Sequence, residues 1–214
     1  MRTHNVSLVL GPVLLCAVAA CENPADNKPK AAVTEAKPVA PTPTGAPEAL
    51  TLAPETSTVA FVGSKVTKSH PGGFKSFTGT IAFDPATPEK SQIKVDIDTS
   101  SLFADEEKLT GHLKSPDFFD VATYPKANFT STEIKAGGEN GATHTITGNL
   151  ELHGVTKSVT FPATVTLGAD TVAAKAEFAI NRKDWKIVYP GMPDDLIRDE
   201  VVIKLDVKAP RTKK

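Results

Sequence analysis

The chain predicts an all-β domain, an antiparallel sheet closed on itself, and three observations carry that prediction. Eight segments between residues 57 and 208 alternate apolar and polar side chains with a period of two, the pattern of strands buried on one face. The links between them carry turn residues, as at 85–91, 137–141 and 168–170, where Gly, Pro and Asp supply the required backbone conformations. All ten Phe, the single Trp and both Tyr follow residue 60, so the core is built entirely in that region. Eight strands with one apolar face each suit a barrel. Two packed sheets would show the same alternation, and the pattern alone leaves that alternative open.

The elements follow in order. STVAFVGSKVT (57–67) opens the domain, and FTGTIAF (77–83) sets Phe77, Gly79, Ile81 and Phe83 on one face. QIKVDID (92–98) puts Ile93, Val95 and Ile97 opposite Lys94, Asp96 and Asp98. The stretch 128–134 is less regular. THTITGNLEL (143–152) aligns Ile146, Gly148, Leu150 and Leu152, and SVTFPATVTL (158–167) aligns Val159, Phe161, Ala163, Val165 and Leu167. TVAAKAEFAI (171–180) aligns Val172, Ala174, Ala176, Phe178 and Ile180, and EVVIKLDVK (200–208) aligns Val201, Ile203, Leu205 and Val207.

One segment breaks the rhythm. DEEKLTGHLKS (105–115) opens with acids, as a helix N-terminus favours, and spaces Leu109 and Leu113 four apart on one face. Pro116 biases Ser115 out of the helical region, so a short helix is expected over about 105–114. The following SPDFFDVATYPKANF (115–129) packs Phe118, Phe119 and Tyr124 between two prolines. It offers no nucleophile with a base and an orienting group. Asp117 and Asp120 read as turn formers, and the stretch reads as a corner in which Phe118 and Phe119 meet Leu109 and Leu113 and plug one barrel end.

The N-terminus reads differently. Arg2 precedes an apolar run, VSLVLGPVLLCAVAA (6–20), which ends in small residues before Cys21. This is the make-up of an export signal, shorter than the ~20 residues that span a bilayer. VAAC (18–21) resembles a bacterial lipobox, which would make Cys21 a lipidation site. The only other cysteine, Cys16, lies within the run and would be removed, and acylation accounts for the odd thiol that remains. Residues 22–50 lack aromatics and are rich in Pro and Ala, so 21–50 is expected to be a lipidated, disordered tether. The barrel is placed at 51–209 and a solvated tail at 210–214.

A net charge of −1, with no cluster of Lys and Arg among aromatics, leaves no basic surface for nucleic acid. The remaining histidines, His70, His112, His144 and His153, form no HxH or HxxxH pair. Neither metal nor cofactor is expected, and no catalytic residue is assigned. His153, beside Gly154, reads as a hydrogen-bonding turn residue. His112, Arg182 and Lys183 are the candidates for an anionic head group, with Arg182 and Lys183 equally readable as a solvated strand end.

Two long motifs resemble the YceI-like family: GHLKSPDFFD (111–120) with Tyr124-Pro125, and ITGNLELHGVTK (146–157). Gly73-Phe74 with Phe77-Thr78-Gly79, and INRKDW (180–185), echo it more weakly. The chain departs from the family's pattern at Lys186 and over 186–195. The resemblance implies a lipocalin-like, eight-stranded antiparallel barrel exported to the periplasm or cell envelope. It further implies a long apolar interior that holds an isoprenoid chain of the polyprenyl phosphate or quinone type. Alternation alone does not say whether the barrel is filled or hollow. On the family reading, the lining comes from Phe61, Phe77, Ile81, Phe83, Val95, Leu109, Leu113, Phe118, Phe119, Phe129, Ile146, Leu150, Phe161, Val165, Phe178, Ile180, Trp185, Ile203 and Leu205. The expected protein is a lipid-binding carrier or store, held at the membrane through acylated Cys21, monomeric or homodimeric. The alternatives are an enzyme acting at the barrel mouth and a ligand-free envelope protein that works by interaction or in stress.

Overall fold

The computed structural model describes residues 22–39 and 47–211. The expected signal segment 1–20, Cys21 and tail residues 212–214 lie outside the described residues. In chain order the elements are β1 (Ala32–Glu35), β2 (Glu48–Leu52), β3 (Thr58–Ser64), β4 (Ser69–Phe74), β5 (Phe77–Phe83), β6 (Gln92–Asp98), β7 (Leu102–Ala104), α1 (Glu107–Lys114), β8 (Lys126–Ala136), β9 (His144–Leu152), β10 (Val155–Leu167), β11 (Thr171–Asn181), β12 (Gly191–Met192), β13 (Asp195–Leu196) and β14 (Glu200–Pro210). All eight expected strands are present, as β3, β5, β6, β8, β9, β10, β11 and β14.

Their hydrogen-bonded order is β5-β6-β8-β9-β10-β11-β14-β3-β4, and each pair is antiparallel. Only Lys75 and Ser76 separate β4 from β5, so these two are arms of one bent strand. Because β4 pairs with β3 and β5 with β6, the bend brings the two ends of the path together. The sheet thus curls into a barrel of the lipocalin-like class. Ser101 holds the bend: its carbonyl accepts from Lys75 N at 3.3 Å, and its hydroxyl accepts from Ser76 N at 3.0 Å.

Beyond the bend β5 leaves β3, and β2 takes the vacated edge, with Leu50 opposite Ile81 and Leu52 opposite Gly79. Leu50 and Leu52 are buried there with Ile81, Phe83, Val172 and Ala209. The domain therefore starts slightly before the expected boundary at 51. It also ends later, since Pro210 closes β14 and Arg211 Nε reaches Glu48 Oε2 at 3.0 Å.

Residues 22–39, expected to belong to a disordered tether, are instead built into the wall. β10 pairs with β11 only over 164–167, while β1 pairs with β10 over 157–160. Pro162 falls between the two ladders and has no N–H to give to either. Just upstream, Ala31 N donates to Ala179 O at 2.9 Å and Ala179 N donates to Pro29 O at 2.8 Å. The segment thus lies between β10 and β11 where they splay. Ala31 and Val33 pack on the core, and Ala25, fully buried, sits against Ala179 and Val202. Asn149 clamps the end of the segment, accepting from Lys37 N at 2.9 Å and donating to Lys37 O at 2.7 Å. Composition argues against order when a segment must bury itself on its own. Here the unpaired edges of two long strands supply what the segment lacks.

Helix α1 runs Glu107–Lys114 and ends at Ser115, whose ψ of 170 is extended, as Pro116 requires. The corner after it is structural. Phe118 N and Asp120 N both donate to Ser115 O, Asp120 takes the left-handed conformation (φ 41), and Tyr124 N donates to Asp120 O at 2.8 Å. Thr99 then ties the corner to β6, its hydroxyl donating to Tyr124 O at 2.6 Å.

Substituting Ala25→Glu would place a carboxylate against Ala179 and Val202, a burial that costs several kcal/mol without a partner. The expected outcome is release of residues 22–35. Trypsin should then cleave at Lys30 in the variant and not in the parent, while the barrel's melting temperature falls by only a few degrees. A variant as trypsin-resistant as the parent would contradict the docking.

Candidate ligand-binding site

The inward faces enclose a cavity of about 620 Å³, within the ordinary range of small-molecule sites. Of the expected lining residues, Phe61, Phe77, Val95, Leu109, Leu113, Phe118, Phe119, Phe129, Ile146, Leu150, Phe161, Phe178, Ile180, Ile203 and Leu205 border it. Four do not. Ile81 and Phe83 lie past the bend in the cluster sealed by β2. Val165 packs half-buried against the main core cluster, near the β10–β11 turn. Trp185, fully buried, belongs to the turn Arg182–Trp185 and donates its indole N–H to Leu150 O at 3.1 Å. It is a structural anchor of the wall.

Side-chain size decides where the barrel is hollow. A Cβ on Gly148 would lie 2.3 Å from the Phe129 ring, and one on Gly79 would lie 3.0 Å from Leu52, so larger neighbours already fill the space at those glycines. Ala163, Ala174 and Ala176, by contrast, face the open volume. The rings of Phe161 and Phe178 stack with centroids 4.2 Å apart and present a flat wall beside them.

The corner residues reach the cavity in two groups. Phe119 packs with Phe61 and Phe74, at 6.5 and 5.9 Å between ring centroids. Phe118 packs with His112 and Tyr189 at 5.0 and 5.3 Å. Tyr189 and Ile187, together with Met192 and Ile197, come from the loop 186–199. It has no strand period, so sequence reasoning did not assign them to the site.

The three head-group candidates part company. His112 borders the cavity, and its Nε2 pairs with Asp117 Oδ2 at 2.9 Å. Arg182 also borders it, but its guanidinium is turned into the mouth loop. Nε donates to Arg198 O at 3.1 Å, Nη1 to Ile187 O at 2.6 Å, and Nη2 reaches Ile197 O and Asp199 Oδ1 at 3.4 Å. Its side chain is 6% exposed. Burial pulls its pKa below the ordinary value, with Asp199 opposing. Arg182 thus holds the loop together and has little left to offer a ligand. Lys183 lies outside the cavity wall and pairs with Asp199 at 2.9 Å.

The polar collar at the mouth comes from residues that sequence reasoning passed over. Lys65 Nζ meets Asp195 Oδ2 at 2.5 Å, and Thr67 donates to the same carboxylate at 2.9 Å. These bonds, the one from Lys65 foremost, hold the Asp195 carboxyl below its ordinary pKa. Lys68 pairs with Glu106 and likewise lowers its pKa. The Ser64 hydroxyl, buried at the cavity's edge, has no hydrogen-bond partner among the described residues. His70, Asp105 and Glu106 bring ligand-type atoms within 4.8 Å of one another. His70 is already bonded to Asp105 at 2.9 Å, and Lys68 to Glu106, so this cluster's charges are met internally. His153 lies elsewhere: it takes the left-handed conformation before Gly154, stacks edge-on to Tyr124, and its Nδ1 meets Trp185 O at 3.1 Å.

Residues 50–209 match the model of the YceI-like domain. The chain belongs to that family. A UPF0312 protein of Pseudomonas syringae pv. tomato is 48% identical over 126 residues, and one of Pseudomonas putida is 42% identical over the same length. Each match covers 56% of this chain and 65% of the relative, so the chain spans just under two thirds of these relatives. Among solved structures, BcnA of Burkholderia cenocepacia is similar at a TM-score of 0.62 with 29% identity, over 72% of this chain and 96% of that one. A polyisoprenoid binding domain from Saccharophagus degradans aligns at 0.60 with 18% identity, over 78% of this chain and 99% of that one. At that identity the likeness is one of fold.

Two outcomes follow from the collar. Arg182→Met leaves the carbonyls of Ile187, Ile197 and Arg198 without their donor and should cost about 3 kcal/mol in urea denaturation. The tie from Lys65 to Asp195 depends on an ionised carboxylate whose pKa is lower in the fold than in the unfolded chain. Its contribution should therefore hold at neutral pH and be lost only as pH falls below the ordinary 3.8. Amide hydrogen exchange of the 191–197 hairpin against pH reads this directly, and Asp195→Asn should abolish the dependence.

Proposed function

We propose that the protein binds an isoprenoid chain, of the polyprenyl phosphate or quinone type, for carriage or storage in the cell envelope. The observation that carries this is the cavity: a volume of about 620 Å³ walled mainly by aliphatic and aromatic side chains, with most of its polar lining gathered at the mouth. An isoprenoid is apolar along its length. Each five-carbon unit offers roughly 4 kcal/mol of transfer energy, of which ordering the chain removes a large part. The polyisoprenoid binding of the Saccharophagus domain, which shares this fold, supports the choice of ligand. A binding protein is favoured over an enzyme because the ionic groups at the mouth are engaged with one another. No catalytic residue is assigned.

The export signal, the lipobox and the single remaining thiol support a lipoprotein anchored through Cys21, with its barrel in the periplasm. Two acyl chains suffice for stable anchoring.

Solvent extraction of the purified protein followed by mass spectrometry should recover a long-chain isoprenoid. Where the protein is purified empty, it should take up offered polyprenols or quinones. Ala176→Phe fills part of the void and should weaken uptake at least tenfold while leaving the circular dichroism spectrum and melting temperature nearly unchanged. No extractable lipid together with no uptake would overturn the reading.

A further inference from the structure

We infer that the rim of the cavity mouth is a membrane-docking surface, so that the barrel opens toward the lipid bilayer. The inference deepens the proposed binding function by naming the surface from which the ligand enters.

The first observation is the rim itself. Val66, Val188, Met192 and Leu196 are 53%, 60%, 62% and 50% exposed, and they are four of the seven large apolar side chains left in water among the described residues. They belong to one structure. Val66 N donates to Leu196 O at 3.2 Å, Lys65 bridges Ile197, and Met192 pairs with Asp195 in the β12–β13 hairpin. The same segments supply Lys65, Ile187, Tyr189, Met192 and Ile197 to the cavity wall. The loops that carry the ionic collar thus also carry an apolar lip next to the cavity wall. Clustered exposed apolar residues of this kind mark interaction surfaces.

The second observation is where the chain arrives. Ala25 packs on Ala179 and Val202, and Asn23 Nδ2 reaches Glu200 Oε2 at 3.5 Å. Residues 179–181 and 200–202 are the ends of β11 and β14 that carry the mouth loop, whose Arg198 N donates to Ser64 O at 2.9 Å. The N-terminal segment therefore meets the barrel at its mouth end. Cys21 precedes Asn23 by two residues, a reach of about 7 Å. A chain held in a membrane at Cys21 brings the mouth, and not the opposite end, to the bilayer surface.

The charges say what kind of contact this is. Lys65, Lys68 and Lys183 are already paired with Asp195, Glu106 and Asp199. Docking therefore relies on the four apolar side chains and does not call for anionic lipid, and it should change little between low and high salt.

The test uses the chain from residue 22, which carries every described element and no cysteine. An N-terminal hexahistidine stands in for the acyl anchor, on vesicles of phosphatidylethanolamine with a nickel-chelating lipid. A bimane fluorophore is placed at Met192→Cys on the rim or at Leu167→Cys, an exposed apolar position at the far end of the barrel. Quenchers on the lipid chains should quench the label at 192 at least threefold more than that at 167. In Val188→Asp/Leu196→Asp the difference should disappear while the fold is retained. Equal quenching at the two positions overturns the inference. So does quenching at 192 that survives the double substitution, because the tag alone then accounts for it. Lipid extraction from the same preparation reports cargo separately, so failure of docking and failure of ligand binding are told apart.

Discussion

Closure of the sheet sets the width of its interior, and every inward side chain works within that width. An eight-stranded barrel is just wide enough for its own side chains to fill it, or to hold one small ligand. Which of these occurs is decided residue by residue. At Gly148 and Gly79 the absence of a side chain is answered by Phe129 and Leu52, so those stretches are solid. Ala163, Ala174 and Ala176 instead border the open volume. The stacked rings of Phe161 and Phe178 lie in the same wall. They are too rigid to collapse into the space, which helps keep it open as a cavity.

The strands were legible because their burial is periodic. A run such as QIKVDID declares its inward face without reference to any partner, and Val95 and Ile97 do line the cavity. The bend at Lys75 and Ser76 was not legible, because polar residues at a strand break look the same whether the chain turns back or continues. Missing the bend led to the misplacement of Ile81 and Phe83. Their alternation is that of a lining strand, but past the bend the face they occupy is sealed by β2. Trp185 failed for another reason. A large aromatic in a short turn has no period to orient it, and its indole N–H found the carbonyl of Leu150.

Arg182 shows how far charge can be read without contacts. A cation at the end of an apolar strand invites an anionic ligand, and its neighbour Lys183 reinforces that impression. The structure spends the guanidinium on three backbone carbonyls of a loop that has no regular hydrogen bonding of its own over most of its length. Planar, multidentate donors suit that task. The result is that a mouth built from irregular chain is held in shape by a buried charge, and the ionic pairs of Lys65 and Lys68 stand around it as a collar.

The N-terminal segment joins these elements. β10 and β11 cannot close on each other below Pro162, so the wall needs a strand from elsewhere, and the residues immediately after Cys21 provide it. Their low apolar content concealed this, since the burial comes from Ala25, Ala31 and Val33 meeting surfaces already formed by β10, β11 and β14. A tether would leave the barrel free to turn at any distance up to its length. A segment pinned at Ala25, at Ala179 and again at Asn149 removes that freedom. The part of the chain closest to the proposed anchor is thereby also part of the wall against the main core cluster. Holding the protein at a surface and completing its interior become one structural task.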